Sequence, residues 1–458
     1  MSALLLSTTS VGQANAVEEE NNSFYQGQGY QNGGYQKEAG TPLFSNWSYN
    51  LTKEVNKLET VKWDFDMTSL NSKSLPFSTA VDKDDNSYFV NRNYELVSID
   101  KNGKERWKKT YENRLSMYAA PQIGKNGVMY LVATYGIYGV NSDGEVIWES
   151  KLGSNYTFNS NLTIGEDGTL YAVSSGKLVA INPDGSLKWA SAEKISLSQY
   201  KSPIVSKDGT IYIDSSSDKT LYAFNSDGEL KWKKSIEIST TSHLTLTNEG
   251  KIVATYSYTN MPGKVFILNS DGETEKEIEL DKSGGNFVIY NEKVNQIIVQ
   301  NVKKLSSFNV DGTKNWEYEF PNTVWSHPII DKNGTIYASS NGGLVTALNP
   351  DGTVKEVFDI AKHFGGNSGN FGVMTNNMQV TTDGNLRIPV MVSFFGADSK
   401  YLLIELGNEP AEMPDDICEG YLEDVEKQLK DGTISQEKID EAQLRLSKTL
   451  YELSQKEQ

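Results

Sequence analysis

The sequence predicts an all-β protein with the fold of an eight-bladed β-propeller, because two repeats run along it out of phase. One repeat is a corner, where a strand ends in a turn with glycine and a short strand with one large aromatic residue follows. The other is a β-hairpin that turns between two runs of alternating apolar residues. Both recur about every 40 residues, which is typical of four-stranded propeller blades. A C-terminal α-helical hairpin is predicted beyond them.

The corner is clearest in residues 180–189, where small Ala180 precedes Asp184-Gly185 and Trp189 follows. Glycine can take a positive φ at such a turn without a Cβ clash. The corner glycines recur at intervals of 40 to 44 residues: Gly103, Gly144, Gly185, Gly228, Gly272, Gly312 and Gly352. Four positions later stand Trp107, Trp148, Trp189, Trp232, Lys276, Trp316 and Glu356. We expect each tryptophan to dock against a neighbouring blade, and the blades with lysine or glutamate to be looser.

The hairpins outnumber the corners by one. They turn near Asn86, Asn126, Asp167, Asp208, Glu249, Glu292, Asn333 and Asp383. Trp63 lies 44 residues before Trp107 and fits the tryptophan register without a corner ahead of it. We therefore expect an N-terminal strand around Val61 to Phe65 to complete the last blade, whose own chain stops near Gly407. Such closure buries the sheet edges of the ring.

The Ala-x4-Gly-x3-Trp corners and the Asp-Gly-Thr-Ile-Tyr hairpin resemble the repeats of pyrroloquinoline-quinone-type (PQQ-like) propellers over about residues 58 to 408. That group includes quinoprotein alcohol dehydrogenases, the propeller lipoprotein of the Gram-negative outer-membrane assembly machine, and secreted propellers of bacilli. The resemblance implies a fold. It leaves the function open, because one fold supports many activities.

Composition divides the chain into four segments. Residues 1–16 match a secretory signal peptide with a truncated basic region, ending in Ala14-Asn15-Ala16. Residues 17–45 form a Gly/Gln/Tyr-rich leader that we expect to be disordered. Residues 46–408 contain the propeller, and residues 411–458 the helical hairpin.

The helical hairpin is predicted from two amphipathic stretches, 415–429 and 435–453. The second has an apolar stripe that includes Ile439, Leu446 and Leu450. Helices this short are not stable alone, so the stripe must pack against something. The propeller itself, a second copy of the chain and another protein are the alternatives.

Net charge and cysteine content limit the partners and the location that the sequence allows. The formal net charge of -17 argues against nucleic acid and anionic membranes as partners. No apolar stretch is long enough to predict a membrane span. The single cysteine, Cys418, cannot form an intramolecular disulfide. We expect a secreted or cell-surface protein, from a Gram-positive bacterium.

Residues for catalysis, metal binding or cofactor binding are not predicted. The resemblance implies a quinone held against a disulfide between adjacent cysteines and a calcium ion, and one cysteine cannot supply that disulfide. The Asp-rich turns are expected to be structural. His243 and His327 hold nearly equivalent positions at the start of two hairpins, so we expect them on one side of the ring, as structural or channel residues.

Two breaks in the repeat are the predicted partner-binding sites. The longer break includes His363, Phe364 and Phe371, and the shorter one Tyr256 and Tyr258. The alternative for the longer break is a slack loop at ring closure. The sequence favours a non-enzymatic scaffold that binds other proteins at the cell envelope or outside the cell. A degenerate quinoprotein oxidoreductase and a carbohydrate-binding propeller are the alternatives.

Overall fold

The structure, a computed structural model, describes most of residues 54–408. The gaps are 71–74, 77–78, 118, 125, 151–157, 159–160, 197–201, 216, 237–242, 257–261, 281–286, 325, 366–370, 376–377 and 395–398. Outside this range it describes 29–31, 35–36, 50–51, 428 and 430–433. Eight sheets are formed, which confirms the eight-bladed propeller. No helix in the described ranges is both long and apolar enough to cross a membrane.

Blades 1 to 7 each contain four antiparallel strands, which follow one another from the innermost to the outermost. The strands of blades 1 to 4 are Thr79–Val81, Ser87–Val90, Leu96–Ile99 and Glu105–Lys109; Gln122–Ile123, Met129–Ala133, Gly136–Val140 and Val146–Glu149; Thr163–Ile164, Leu170–Ser174, Lys177–Ile181 and Leu187–Ala190; Ile204–Val205, Ile211–Ser215, Thr220–Phe224 and Leu230–Ser235. Those of blades 5 to 7 are Leu244–Leu246, Ile252–Tyr256, Lys264–Leu268 and Thr274–Glu279; Phe287–Asn291, Gln296–Asn301, Lys304–Asn309 and Lys314–Glu319; Ile329–Ile330, Ile336–Ser340, Leu344–Leu348 and Val354–Asp359.

Blade 8 takes its outermost strand from the other end of the propeller sequence. Its strands are Phe371–Thr375, Gln379–Val380, Leu386–Phe394, Lys400–Gly407 and Thr60–Asp66. The last two are antiparallel, with Leu402 opposite Asp66 and Glu405 opposite Trp63. A 3-10 helix, Met67–Leu70, follows the outermost strand, and an α-helix, Ile360–His363, follows blade 7.

Three short strands, Gly29–Gln31, Tyr35–Gln36 and Asn50–Leu51, extend the inner edge of blade 7. Asn50 pairs in parallel with Ile330. Two of these strands lie within residues 17–45, where the sequence predicts no regular structure. Pairing to a sheet edge uses main-chain groups, so the apolar pattern that sequence analysis relies on is not required there.

Burial follows the order of the strands. The middle strands of each blade are almost fully buried, as in Leu170–Ser174. The outermost strands alternate between half-buried and exposed positions, as in Leu230–Ser235. Lysine and glutamate occupy many of the exposed positions, and such charges protect a sheet edge from pairing with another chain.

The tryptophans lie against the corner glycines of the following blade. A Cβ atom added to Gly103, Gly144 or Gly272 would come within 2.6 to 2.7 Å of the indole of Trp63, Trp107 or Trp232, respectively. The rings of Trp148, Trp189 and Trp316 cover Gly185, Gly228 and Gly352 in the same way. Small residues face five of these six indoles across the sheet, as Ala180 faces Trp189, whereas Glu405 faces Trp63. Indole nitrogens also donate to corner carbonyl oxygens, as from Trp189 to Ser226 at 2.9 Å.

The two junctions without tryptophan are filled differently. The aliphatic stem of Lys276 lies over Gly312 in the place of an indole. Glu356 has no corner glycine to cover, because the outermost strand of blade 8 arrives from the N-terminal side. Its Oε2 instead accepts a hydrogen bond of 3.1 Å from the backbone N of Leu58.

Residues 409–458 form a second unit. Within it Gln428, Lys430 and Asp431 are helical, and a turn follows at Gly432, whose φ is +66°. Lys430 and Asp431 belong to the segment that the sequence predicts to connect the two helices, and the structure makes both of them helical. The rest of the predicted hairpin, including Ile439, Leu446 and Leu450, lies outside the described residues. So does the predicted signal peptide.

Candidate interaction face

The strand order gives the ring two different faces. The turn face contains the hairpins between the first and second strands and the corners between the third and fourth. The connection face contains the turns between the second and third strands and the longer links between blades, such as the described residues 110–117 and 191–196. Because the first strand starts where the preceding outermost strand ends, Tyr256, His363 and the starts of the innermost strands all lie on the connection face.

Most polar side chains of the Asn- and Asp-rich turns on the turn face form hydrogen bonds with the backbone of their own turns. The Asn225 side-chain oxygen accepts hydrogen bonds from the backbone N of Asp227 at 3.0 Å and of Glu229 at 2.9 Å. Asp82 likewise accepts from the backbone N of Asp84 and Asn86. The polar groups of these turns therefore hold the backbone, as expected for turns rich in Asn and Asp.

Two clefts open between neighbouring blades on the turn face. One, of about 240 Å³, is lined by Ser206, Tyr212 and Glu249, and the other, of about 310 Å³, by Asp82, Tyr88 and Asn126. Sites for drug-sized molecules are typically about 300 to 1,000 Å³. The first cleft is therefore smaller than a typical site for an organic substrate, and the second lies at the lower limit of that range.

The connection face carries an aromatic cluster at the mouth of the central channel. Phe287 is the first residue of the innermost strand of blade 6, and His243 and His327 lie one and two residues before the innermost strands of blades 5 and 7. The ring of Phe287 lies 4.4 Å from that of His243 and 3.8 Å from that of His327. The two imidazoles are 5.7 Å apart. The structure thus brings together the two histidines that the sequence placed on one side of the ring.

The channel mouth does not fit a calcium-bound quinone. Burial, and to a lesser degree the neighbouring His243, lower the pKa of His327 well below its usual value, so its imidazole is neutral. The equivalent positions of other described blades hold Ala120, Asn161 and Ser202, so the donors here are imidazoles, an amide and a hydroxyl rather than carboxylates. Calcium needs several oxygen ligands. Among the described residues, no three His, Cys, Asp or Glu side chains are placed to hold a metal ion.

The predicted partner-binding residues lie at the boundary of blades 7 and 8 and on blade 5. His363 keeps part of its surface exposed, and its ring contacts the half-buried Phe364 at 5.0 Å between ring centroids. Burial lowers the pKa of His363, and Asp64 opposes that shift. Tyr256 is half-buried at the end of the second strand of blade 5. Tyr258 and the side chain of Phe371 lie outside what the structure describes.

A second aromatic cluster, which the sequence does not predict, lies on the connection face of blades 1 and 2. The Arg114 guanidinium lies over the Tyr94 ring, 3.3 Å from its centroid. The Arg114 carbonyl accepts a 3.0 Å hydrogen bond from the backbone N of Thr134, next to Tyr135, whose residue surface is 48% exposed. The available signal was the placement of tyrosines in turns between second and third strands. Tyr94 and Arg114 are separated in sequence and come into contact only in the folded ring.

The profile of the family described as "Outer membrane protein assembly factor BamB" matches residues 55–213 and 136–355 of this chain. Together the two matches span residues 55 to 355, more than half of the sequence. A comparison with curated proteins gives no match.

Solved propellers have the same fold. BamB from Moraxella catarrhalis is 15% identical, with a TM-score of 0.53, over 75% of this chain and 99% of that one. A quinohemoprotein alcohol dehydrogenase from Comamonas testosteroni is 11% identical, with a TM-score of 0.55, over 78% and 77%. A europium-containing methanol dehydrogenase is 11% identical, with a TM-score of 0.54, over 77% and 89%. At these identities the comparison concerns the fold alone.

Proposed function

Because the chain belongs to the PQQ-like propeller family described as outer membrane protein assembly factor BamB, we propose that it is an exported, non-enzymatic scaffold that binds other proteins. Its binding surface is the connection face. The observation that carries this proposal is the difference between the two faces of the ring.

Side chains of the types that dominate protein interfaces lie on the connection face. Tyr135 and His363 are exposed there, and Arg114 stacks on Tyr94. Tyrosine and arginine are enriched among the residues that dominate protein interfaces, because they combine apolar area with hydrogen-bonding groups. On the turn face, by contrast, Asn and Asp side chains are engaged within their turns.

The non-enzymatic part of the proposal rests on the chemistry of the channel mouth. The buried, neutral His327 and the ring of Phe287 provide neither the carboxylates for calcium nor the adjacent cysteines that the family resemblance implies for a quinone. Oxidation of an alcohol or a sugar by the protein when supplied with quinone, calcium and an electron acceptor would contradict the proposal.

Export is proposed from the signal-peptide-like residues 1–16. A Gram-positive cell surface or the medium is the proposed location. Fractionation of cells that express the full chain should place it there, shortened at its N-terminus. A full-length chain confined to the cytoplasm would contradict this part.

Blade 2 offers a matched pair of variants to test the binding face. Tyr135 and Val146 are 48% and 49% exposed, but they lie on the connection face and at the start of the outermost strand on the turn face, respectively. We expect protein captured from envelope and medium by the wild type to be lost with a Tyr135→Asp/His363→Asp double variant. Val146→Asp should retain it.

The reverse pattern, with capture lost only in Val146→Asp, would place binding on the turn face and refute the assignment. A third bait that lacks residues 409–458 tests the C-terminal unit separately. Loss of capture with that bait alone would show that the propeller is a spacer. Absence of any captured protein with the wild type would refute the scaffold function.

A further inference from the structure

Residues 54–58, here called the latch, form an extended segment without regular structure between blades 7 and 8. Val55 and Leu58 are 3% and 6% exposed and belong to the same apolar cluster as Ala347 and Val380. Glu54 and Lys57 are exposed. The latch therefore buries two aliphatic side chains as a bound peptide does, rather than as a strand of a blade.

Asn56 is the most specifically held residue of the latch. Its backbone N donates to the Gly384 carbonyl at 2.8 Å. Its side-chain Nδ2 donates to the Asp383 carbonyl at 2.8 Å and to Oδ1 of Asn385 at 2.9 Å. A side-chain amide that meets two acceptors discriminates against residues that cannot donate, since the part-buried Oδ1 of Asn385 would otherwise lose this partner.

Main-chain hydrogen bonds complete the attachment. The backbone N of Leu58 donates to Glu356 at 3.1 Å, and the backbone N of Glu59 donates to Gly407 at 3.1 Å. Peptide-binding sites commonly combine main-chain hydrogen bonds, which supply affinity, with pockets for alternate side chains, which supply specificity. The latch groove, formed by Glu356, Asp383, Gly384 and Asn385, has both.

The groove exists because the ring closes at this junction. Elsewhere an indole, or the Lys276 stem, covers the corner glycine of the next blade. Blade 8 has no such corner, and Glu356 replaces the tryptophan. At other junctions an indole and a corner turn fill this space. Here the latch occupies it.

We propose that the latch groove is a peptide-binding site for an aliphatic–Asn–x–aliphatic segment, occupied in cis by the latch, and that a basic-flanked segment of this pattern from a partner protein can replace it. The charge of the turn face selects basic flanks. Exposed aspartates mark its corners: Asp143, Asp184, Asp227, Asp271, Asp311 and Asp351. Complementary charge favours association, whereas a second copy would bring two acidic faces together.

The test uses the full chain and a labelled peptide with the sequence of residues 52–60, extended by two lysines at each end as the basic flanks. In the wild type the latch competes at the high effective concentration of a tethered segment, so the peptide should bind weakly. Asn56→Ala removes both side-chain hydrogen bonds of the latch. We expect it to lower the dissociation constant of the peptide at least tenfold in fluorescence anisotropy. A peptide with Ala in place of its Asn should not bind either protein.

Asn269→Ala is the matched control, because Asn269 holds a corner of blade 5 through its own turn and lies outside the groove. It should leave peptide binding at the wild-type level. Val55→Ala is a second way to weaken the latch if Asn56→Ala does not fold. Trypsin cleavage after the exposed Lys57 should accelerate in both latch variants, which shows independently that the latch has opened.

The proposal is overturned if an opened latch leaves peptide affinity unchanged, or if the peptide with Ala binds as well as the original. Dimers of the Asn56→Ala protein without binding of the free peptide would also overturn it, since the occupant would then be a second copy. This site does not depend on the proposed function, because the Tyr135→Asp test concerns the opposite face.

Discussion

Replacing Arg387 by methionine should destabilise the propeller by about 3–5 kcal/mol, the cost of leaving one partner of a buried ion pair uncompensated. Arg387 and Glu405 have side-chain exposures of 1% and 6%, and the Arg387 Nε donates to Glu405 at 2.8 Å. The Arg387 guanidinium also donates to Ser87 at 2.8 Å and to the carbonyl of Asp85, both in blade 1. The pair therefore ties blade 8 to blade 1.

The cost of removing both charges should be smaller than the sum of the two single costs. Well-packed apolar replacements of a buried ion pair are often neutral or stabilising. Here Ser87, the Asp85 carbonyl and Asn385, which donates to Glu405 at 2.9 Å, would lose partners. At about 1 kcal/mol for each lost hydrogen bond, the double variant Arg387→Met/Glu405→Leu should cost about 3 kcal/mol.

The assay is urea unfolding followed by tryptophan fluorescence, with the four proteins of a double-mutant cycle. We expect a coupling free energy of at least about 2 kcal/mol between the two positions. Arg387→Lys keeps the charge but loses the planar fork, so it should fall between wild type and Arg387→Met. Single variants that each cost less than about 1 kcal/mol, or costs that simply add, would refute the reasoning.

Three further predictions follow from the blade junctions and the channel mouth. In urea unfolding, Gly228→Ala should destabilise the protein more than Gly250→Ala. Both glycines have a positive φ, which costs an alanine about 1–2 kcal/mol, but only at Gly228 would the added Cβ also meet an indole. Equal costs would mean that the ring moves away freely. Because the pKa of His327 is lowered in the folded protein, the unfolded chain binds more protons as the pH falls. The free energy of unfolding should therefore decrease below about pH 6.5. The variant His327→Gln should show a weaker dependence on pH. Lys276→Trp alone should destabilise the protein by about 1–3 kcal/mol, because the buried Ile267 faces it across the sheet. Adding Ile267→Ala should recover most of the lost stability. If the single and the double variant are equally stable, an indole at this position does not need a small residue opposite.

The repeat pattern was sufficient to predict the ring because its spacing reflects a packing requirement. An indole such as that of Trp189 needs a small residue opposite it, here Ala180, and a glycine in the next blade, here Gly228. These three positions have fixed offsets along the chain, so the sequence displays them directly. The number of blades followed from counting hairpins against corners.

The candidate surfaces were less predictable because they combine residues with no fixed offset. Arg114 meets Tyr94 only because a blade turn and an inter-blade link come to the same face. Arg387 and Glu405 are both charged residues in apolar runs, and no local pattern shows that they pair. His243 and His327 were linked from sequence because both occupy a repeat position, whereas Phe287 between them has an ordinary apolar identity.

The two junctions without tryptophan show that a broken repeat has more than one cause. Lys276 stands before a blade with a corner glycine, and its stem takes the place of the ring over Gly312, so the chemistry changes while the geometry is kept. Glu356 stands before the one blade whose outermost strand comes from the N-terminal side. That blade has no corner glycine for an indole to cover. The carboxylate there accepts the backbone N of Leu58 as the incoming chain crosses the junction. The presence or absence of a corner in the next repeat therefore separates a substituted contact from a change in connectivity, and only the second leaves room for a peptide.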